Sequence, residues 1–142
     1  MSKFTGDFSK LGLLQANLAK LASVPSQTAR DAAEGIRSEI VAEFDGGHDP
    51  YGRSWASLEQ ATLDKGRGPP PLTDSGDMAD VDVRPTAGAG IAIEFGAEYA
   101  GFHQAGTRFM VARQPLPAAG FPASWSKVIA DAATARVEKA MR

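Results

Sequence analysis

Apolar residues recur at helical spacing along the first part of the chain. Intervals of three and four residues separate Phe4, Phe8, Leu11, Leu14, Leu18 and Leu21. Side chains at this spacing share one stripe of a helix, while Lys10, Gln15 and Lys20 fall elsewhere on its surface. The pattern predicts an amphipathic helix.

A second helix is predicted after the stretch Ser23-Val-Pro25-Ser26. Proline lacks an N–H and disfavours helical geometry in the residue before it, and either serine can cap the helix that follows. This helix is predicted to run to about Phe44, where Gly46-Gly47 allows a left-handed residue to end the last turn. Its apolar stripe comprises Ala29, Ala33, Ile36, Ile40 and Phe44. Two helices with a short joint predict an αα-hairpin.

Periodicity is lost over residues 46–76, where two Gly/Pro-rich clusters flank a short predicted helix at residues 54–63. Loops of this length are uncommon in compact domains unless they bind something or are disordered, and the apolar Trp55, Leu58 and Leu63 argue against disorder. We therefore predict a long structured loop or arm. The order Asp49-Pro-Tyr-Gly52 predicts a tight turn, which is expected to present Trp55 to a neighbouring molecule.

Strict alternation follows the arm. Apolar residues alternate with polar ones over residues 79–84 and again over 91–95, with Gly88-Ala-Gly90 between them. This predicts a β-hairpin with one solvated face. Tyr99, Phe102 and His103 then fit one face of a short helix capped at Gly106.

The remaining segments complete an α+β fold. The stretch "RFMVAR" at 108–113 can supply a third strand, and Ser124 opens a last helix with an inner stripe of Trp125, Val128, Ile129 and Ala132. The order predicts a single domain over residues 1–142: a small antiparallel sheet packed with the N-terminal αα-hairpin and the C-terminal helix, with the arm between them.

Composition narrows the function classes. The chain has 15 basic and 17 acidic residues, a net charge of −2, and no long run of either sign, so nucleic acid is not expected as its main partner. The absence of cysteine excludes disulfides and thiolate metal sites. An apolar stretch of about 18 residues and a secretion signal are both lacking, so we expect a soluble, unexported protein with no membrane partner.

Candidate chemistry is sparse. His103 can serve a hydrolase only with a hydroxyl and a carboxylate, for which residues 54, 74, 75 and 77 are available, but G-x-S-x-G is absent. "GHDPYGRS" at 47–54 matches neither a calcium loop nor a phosphate loop, so no metal or cofactor is expected. Asp74 and Asp77 suit a turn better than an acidic site. Arg113 can pair with a carboxylate across a subunit boundary or remain solvated.

Four stretches occur in a recognisable order: "DPYGRSWASLEQATL" at 49–63, "LTDSGDM" at 72–78, "FGAEYAGFHQAGT" at 95–107 and "MVARQPLP" at 110–117. They resemble the virion morphogenesis, or tail completion, proteins of Mu-like tailed bacteriophages. Those proteins typically show D-x-x-G-x-x-W, a short helix, a leucine and S-G stretch, Y-A-x-x-H-x-x-G-T, an A-R-P-like stretch and a final helix. Gln114 departs from the pattern, because Arg is often followed there directly by Pro.

The resemblance implies a non-enzymatic structural protein of a phage virion or phage-like particle. Such a subunit forms a ring, expected to be a hexamer, assembles in the host cytoplasm, and acts as a tail completion or tail terminator protein in the neck, where head and tail join. Its partners are then further copies of itself, the tail tube and the head–tail connector, with nucleic acid only passing through the ring lumen. A neck connector or minor capsid protein is the alternative within this class.

Aromatic side chains with a polar tip are common in the core of protein interfaces. The candidates for subunit contacts are therefore Trp55, Tyr99, Phe102, His103 and Arg113, and no catalytic residue is assigned. Two alternatives from other classes stay open: a small hydrolase using His103, and a monomeric adaptor or toxin-neutralising module that uses the arm to bind a foreign partner.

Overall fold

A computed structural model of the protein describes residues 9–142, so Phe4 and Phe8 of the first predicted stripe lie outside the described residues. The fold is α+β, as predicted: a bent, hairpin-like pair of N-terminal helices and a C-terminal helix pack with a two-stranded antiparallel sheet over the described range. The elements in chain order are α1 Ser9–Leu21, α2 Val24–Gly46, α3 Gln60–Leu63, β1 Val81–Pro85, β2 Ile91–Phe95, α4 Ala100–Ala105 and α5 Ala123–Met141.

α2 is the central helix, and its predicted stripe, from Ala29 to Phe44, is buried. It ends as predicted, because Gly47 adopts the left-handed conformation with φ 67° and donates its N–H to carbonyls of the last turn. The predicted serine cap at its start is wrong. Ser23 Oγ donates to the Lys20 carbonyl at 3.2 Å, and Ser26 Oγ donates to the Ser23 carbonyl at 3.0 Å, so both hydroxyls satisfy carbonyls behind them.

The predicted hairpin is confirmed. β1 and β2 pair antiparallel with Val81 opposite Phe95 and Val83 opposite Ile93. The connecting loop closes through a hydrogen bond from the Thr86 N–H to the Gly90 carbonyl at 2.8 Å. The hairpin covers α2 and helps to enclose a core of Ile36, Ile40, Phe44, Trp55, Met78, Val81, Ala100 and Trp125.

The third strand predicted at 108–113 is wrong: these described residues form no strand, and only Thr107 and Met110 pair in an isolated bridge. The segment instead folds back on the end of α4, because the Thr107 N–H donates to the Met110 carbonyl at 2.8 Å and the Arg113 N–H donates to the His103 carbonyl at 2.9 Å. Its backbone groups are therefore used locally and are not available to extend the sheet.

The arm contains little helix. Only Gln60–Leu63 is helical, a shorter stretch than predicted. The predicted turn at Asp49 is confirmed, because its Oδ1 accepts the N–H groups of Tyr51 and Arg53, each at 2.9 Å. Tyr51 then reaches forward, where its hydroxyl donates to the Gly120 carbonyl at 2.6 Å and ties the turn to the segment before α5.

α5 packs along α2, and its predicted inner stripe is confirmed by the burial of Trp125 and the partial burial of Val128 and Ile129. The two helices approach closely at Gly35, where an added Cβ would lie 2.5 Å from a methyl carbon of Val128. Near the far end of α5, Arg136 forms a two-pronged ion pair with Asp31, at 2.5 and 2.9 Å.

α1 follows the predicted periodicity, but its stripe does not enter the core. Leu11 and Leu18 are each 57% exposed and Leu14 is 52% exposed. The helix lies against α5, and its partly buried side chains include Asn17 and Leu21, the last member of the stripe. The chain therefore leaves the leucine side of an amphipathic helix facing outward.

Candidate interaction site

Trp55 anchors the arm inside the molecule. Its side chain is only 7% exposed, and its ring packs edge-on against Phe44 with centroids 5.4 Å apart. The indole N–H donates to the Gln114 carbonyl at 3.1 Å. The prediction that Trp55 contacts a neighbouring subunit is therefore wrong, because folding of the same chain already buries this side chain.

Arg113 is also used internally. It is 8% exposed, and its guanidinium donates to the carbonyls of Ala56 and Ser57 in the arm, both at 2.7 Å. These carbonyls follow Trp55, so Arg113 and Gln114 together hold three consecutive arm residues. The prediction of a cross-subunit ion pair at Arg113 is wrong for the same reason: the charge is directed at carbonyls of its own chain.

The short helix α4 forms as predicted. Gly106 ends it with φ 74° and donates its N–H to the Phe102 carbonyl at 2.8 Å. A Cβ at Gly106 would meet the Ala112 nitrogen at 3.0 Å, so the close return of the chain also requires glycine here. This helix leaves Tyr99 40% exposed and Phe102 61% exposed. Both predicted interface residues are thus accessible.

A groove of about 880 Å³ runs between the arm and the segment that includes α4 and the turn after it. We call it the aromatic groove. Its apolar lining is Leu58, Leu72, Met78, Tyr99, Phe102, Phe109, Met110 and Val111. Phe109 is 84% exposed and Val111 is 56% exposed, so the apolar surface continues onto the rim. Polar groups at the groove include an ion pair between Arg67 and Asp74 at 3.3 Å.

His103 lines the groove beside Tyr99, with ring centroids 5.8 Å apart in an edge-on arrangement. Burial, together with the nearby positive charge of Arg113, lowers the pKa of His103 from its ordinary value, which favours the neutral imidazole. Its Nδ1 is buried without a hydrogen-bond partner among the described residues.

The structure brings four of the five predicted residues, all except Trp55, to one groove, although Arg113 serves there as an internal brace. Sequence reasoning missed Phe109 and Val111, which are exposed at the rim of the groove. Their signal was the apolar run in "RFMVAR", which we interpreted as a strand. An apolar run without a clear period does not distinguish a buried strand from an exposed patch.

No group of three or more His, Asp or Glu side chains is placed to hold a metal ion within residues 9–142. Of the helices described, none has the length and apolar character needed to cross a lipid bilayer.

Comparison with known proteins adds no relative. The chain matches no protein family model, no curated protein and no solved structure.

Proposed function

We propose that the protein is a structural subunit of a tailed bacteriophage or phage-like particle, a ring-forming tail completion protein at the junction of head and tail. It acts by binding further copies of itself and the neighbouring tail and neck proteins. It breaks no bonds and needs no cofactor. The proposal combines the four ordered motifs of the sequence with the way their residues are used in the fold.

The observation that carries the proposal is that the motif residues brace one another and leave an apolar surface open. Trp55 and Arg113 fix the arm against the segment after α4, through the hydrogen bonds to Gln114 and from Arg113 to the arm carbonyls. The same bracing leaves Phe102 and Phe109 exposed beside the groove. Rigid support behind an exposed aromatic patch is typical of a protein-binding surface, because ordering costs on binding are small.

The environment of His103 favours a structural role over hydrolysis. A general base needs a hydroxyl within hydrogen-bond reach and a group that orients its ring. The buried Nδ1 of His103 has no such orienting partner among the described residues. Of the candidate hydroxyls, Ser75 Oγ bonds to the Asp77 carboxylate at 2.8 Å.

Deletion of the coding sequence from the genome that carries it tests the proposal. We expect induced lysates to contain filled heads and separate tails by electron microscopy, and joined particles to return when the chain is supplied in trans. Particles that join normally without the chain would contradict the proposal.

A matched substitution distinguishes structure from catalysis in the same assay. The variant His103→Gln keeps a polar side chain of similar size but cannot act as a general base. We expect it to restore joined particles as well as the unchanged chain does. Intact particle assembly combined with loss of a measured hydrolytic rate in the His103→Gln protein would instead support the hydrolase alternative.

A further inference from the structure

The leucine stripe of α1 is a regular apolar feature that the fold leaves uncovered over three of its residues. Leu11, Leu14 and Leu18 are more than half exposed, whereas Leu21 at the end of the same stripe and Asn17 beside it are partly buried. Positions three and four apart on a helix are neighbours, so the three side chains form one continuous surface. A stable soluble helix with this pattern ordinarily packs its apolar side against another element.

The aromatic groove is an apolar depression that is suited to bind the exposed leucine face of α1. Its lining combines aromatic, leucine and methionine side chains, which suit an amphipathic helix laid in a groove with anchors at helical spacing. The α1 helix of the same chain lies against α5, and the groove is formed by the arm and the α4 segment. A helix seated in the groove therefore comes from a second molecule.

Charge gives a reason for choosing α1 as that helix. α1 carries Lys10 and Lys20 and no acidic residue. A smaller depression of about 340 Å³ adjoins the groove at Tyr99 and is lined by the acidic Asp77, Asp80 and Glu98. A basic helix is attracted to an acidic groove end, and an orientation that brings like charges together is disfavoured.

We propose that the Leu11, Leu14 and Leu18 face of α1 docks in the aromatic groove of a second copy of this chain, with Lys10, one helical turn before Leu14, directed toward the acidic depression. The contact joins two different patches, so each molecule can give α1 to one neighbour and receive α1 from another. Repetition of such a contact closes a ring when the rotation between copies permits. The inference rests on the proposed function in that it supplies the contact between ring subunits.

Disulfide trapping tests the contact directly, because the natural chain has no cysteine. A Leu14→Cys variant is mixed with a Phe102→Cys variant under mild oxidation. We expect a crosslink between the two variants to form at least about tenfold faster than in the controls, because docking raises the effective concentration of the two thiols. The controls are Leu13→Cys with Phe102→Cys, and Leu14→Cys with Phe121→Cys.

These controls are matched to the test. Leu13 is 64% exposed on another side of the same helix, and Phe121 is 60% exposed but does not line the groove. Equal rates in the test and control pairs would overturn the inference, and so would preferential crosslinking of Leu14→Cys to itself, which indicates a symmetric helix-to-helix contact.

A second measurement uses the mass of the native assembly. The double substitution Leu14→Ser and Leu18→Ser is expected to weaken self-association at least about 100-fold, because two buried leucines are lost from the contact. Leu13→Ser is expected to leave the assembly unchanged, and circular dichroism checks that both proteins are folded. Unchanged mass in the folded double variant would overturn the inference.

The outcomes separate the inference from the proposed function. If the unmodified chain assembles but the cysteine variants give no specific crosslink, the α1 contact is contradicted and the proposed ring is not. A chain that stays monomeric at all concentrations contradicts both. A specific crosslink in a chain whose deletion leaves head–tail joining unaffected supports the contact and contradicts the tail completion role.

Discussion

Glu43 is a buried acid between α2 and α5. It is 2% exposed, its Oε1 accepts the indole N–H of Trp125 at 3.3 Å, and its Oε2 has no partner among the described residues. Burial raises the pKa of Glu43 to about 8, and the charges of Glu39 and Asp49 act in the same direction. The folded protein therefore favours the protonated form at a pH where the unfolded chain is ionised.

This difference predicts a pH dependence of stability. Between the unfolded pKa, close to the ordinary value of 4.5, and the folded pKa of about 8, the folded state binds the additional proton. The contribution of Glu43 to the free energy of unfolding is thus fully present below the lower pKa and is lost as pH rises toward the upper one. We expect a slope of up to about 1.4 kcal/mol per pH unit in this window, measured by urea unfolding.

Glu43→Gln provides the comparison, because glutamine accepts the same hydrogen bond and carries no ionisable proton. The variant is expected to gain stability relative to the natural chain as pH rises through the window. His103 acts in the opposite direction, since burial lowers its pKa, and the difference between the two proteins removes its effect. A difference that does not change with pH would show that Glu43 is ionised in the fold.

At the scale of elements, the periodicity of apolar residues correctly predicted the elements whose side chains repeat along one buried face. α2 and the β-hairpin were predictable because Ile36, Ile40 and Phe44, and likewise Val81 and Val83, repeat with the period of their element and face one core. The conformation of residues 108–113 was not predictable, because their backbone forms hydrogen bonds at the end of α4, and the spacing of apolar residues does not indicate such a contact. The stripe of α1 was correctly assigned to a helix, but pattern alone does not say whether the covering surface belongs to the same molecule.

The candidate site was predictable only in part. Phe102 lies on α4, which Gly106 ends, and Tyr99 is the residue directly before the first turn, so their proximity follows from spacing. Trp55 and Arg113 are far from their partners in sequence: the indole bonds to Gln114, and the guanidinium bonds to Ala56 and Ser57. A tryptophan in a long loop gives the same signal whether it turns inward or outward, and only the tertiary structure decides.

The buried position of Trp55 predicts that its removal affects folding of the arm before it affects assembly. Trp55→Ala is expected to lower the free energy of unfolding by about 3–5 kcal/mol, through the lost packing on Phe44 and the cavity that remains. Urea unfolding measures this loss. Limited trypsin digestion is expected to show faster cleavage at Lys65 and Arg67, which lie in the exposed part of the arm.

Phe109→Ala is the matched control, since it truncates an aromatic ring that is 84% exposed. Its free energy of unfolding, measured with protein dilute enough to be monomeric, is expected to stay within about 0.5 kcal/mol of the natural chain, with unchanged cleavage of the arm. Trp55→Phe keeps a ring beside Phe44 but loses the indole N–H, so an intermediate loss of about 1 kcal/mol is expected. A Trp55→Ala protein as stable as the natural chain would contradict the role of Trp55 as the anchor of the arm.

At the scale of the whole molecule, the fold buries few large hydrophobic side chains and leaves many of them exposed. Among the described residues, four of the twelve buried hydrophobic side chains are alanines, whereas thirteen large hydrophobic side chains are exposed. Seven of these thirteen lie on the leucine face of α1 or at the aromatic groove: Leu11, Leu14, Leu18, Tyr99, Phe102, Phe109 and Val111. Apolar surface in two separate patches is what a subunit with two different neighbours requires.

Such a subunit gains stability from its neighbours by mass action, so its unfolding temperature is expected to depend on protein concentration. Each tenfold increase in concentration is expected to add about 1 kcal/mol per subunit, which raises the midpoint by roughly 3 °C for a chain of this size. Differential scanning calorimetry across a hundredfold range, about two such steps, measures this rise. The Leu14→Ser and Leu18→Ser double variant is expected to unfold at one lower temperature throughout, because the patch on α1 no longer binds. A midpoint of the natural chain that stays constant over the same range would indicate a monomer whose exposed leucines and aromatics serve a different partner.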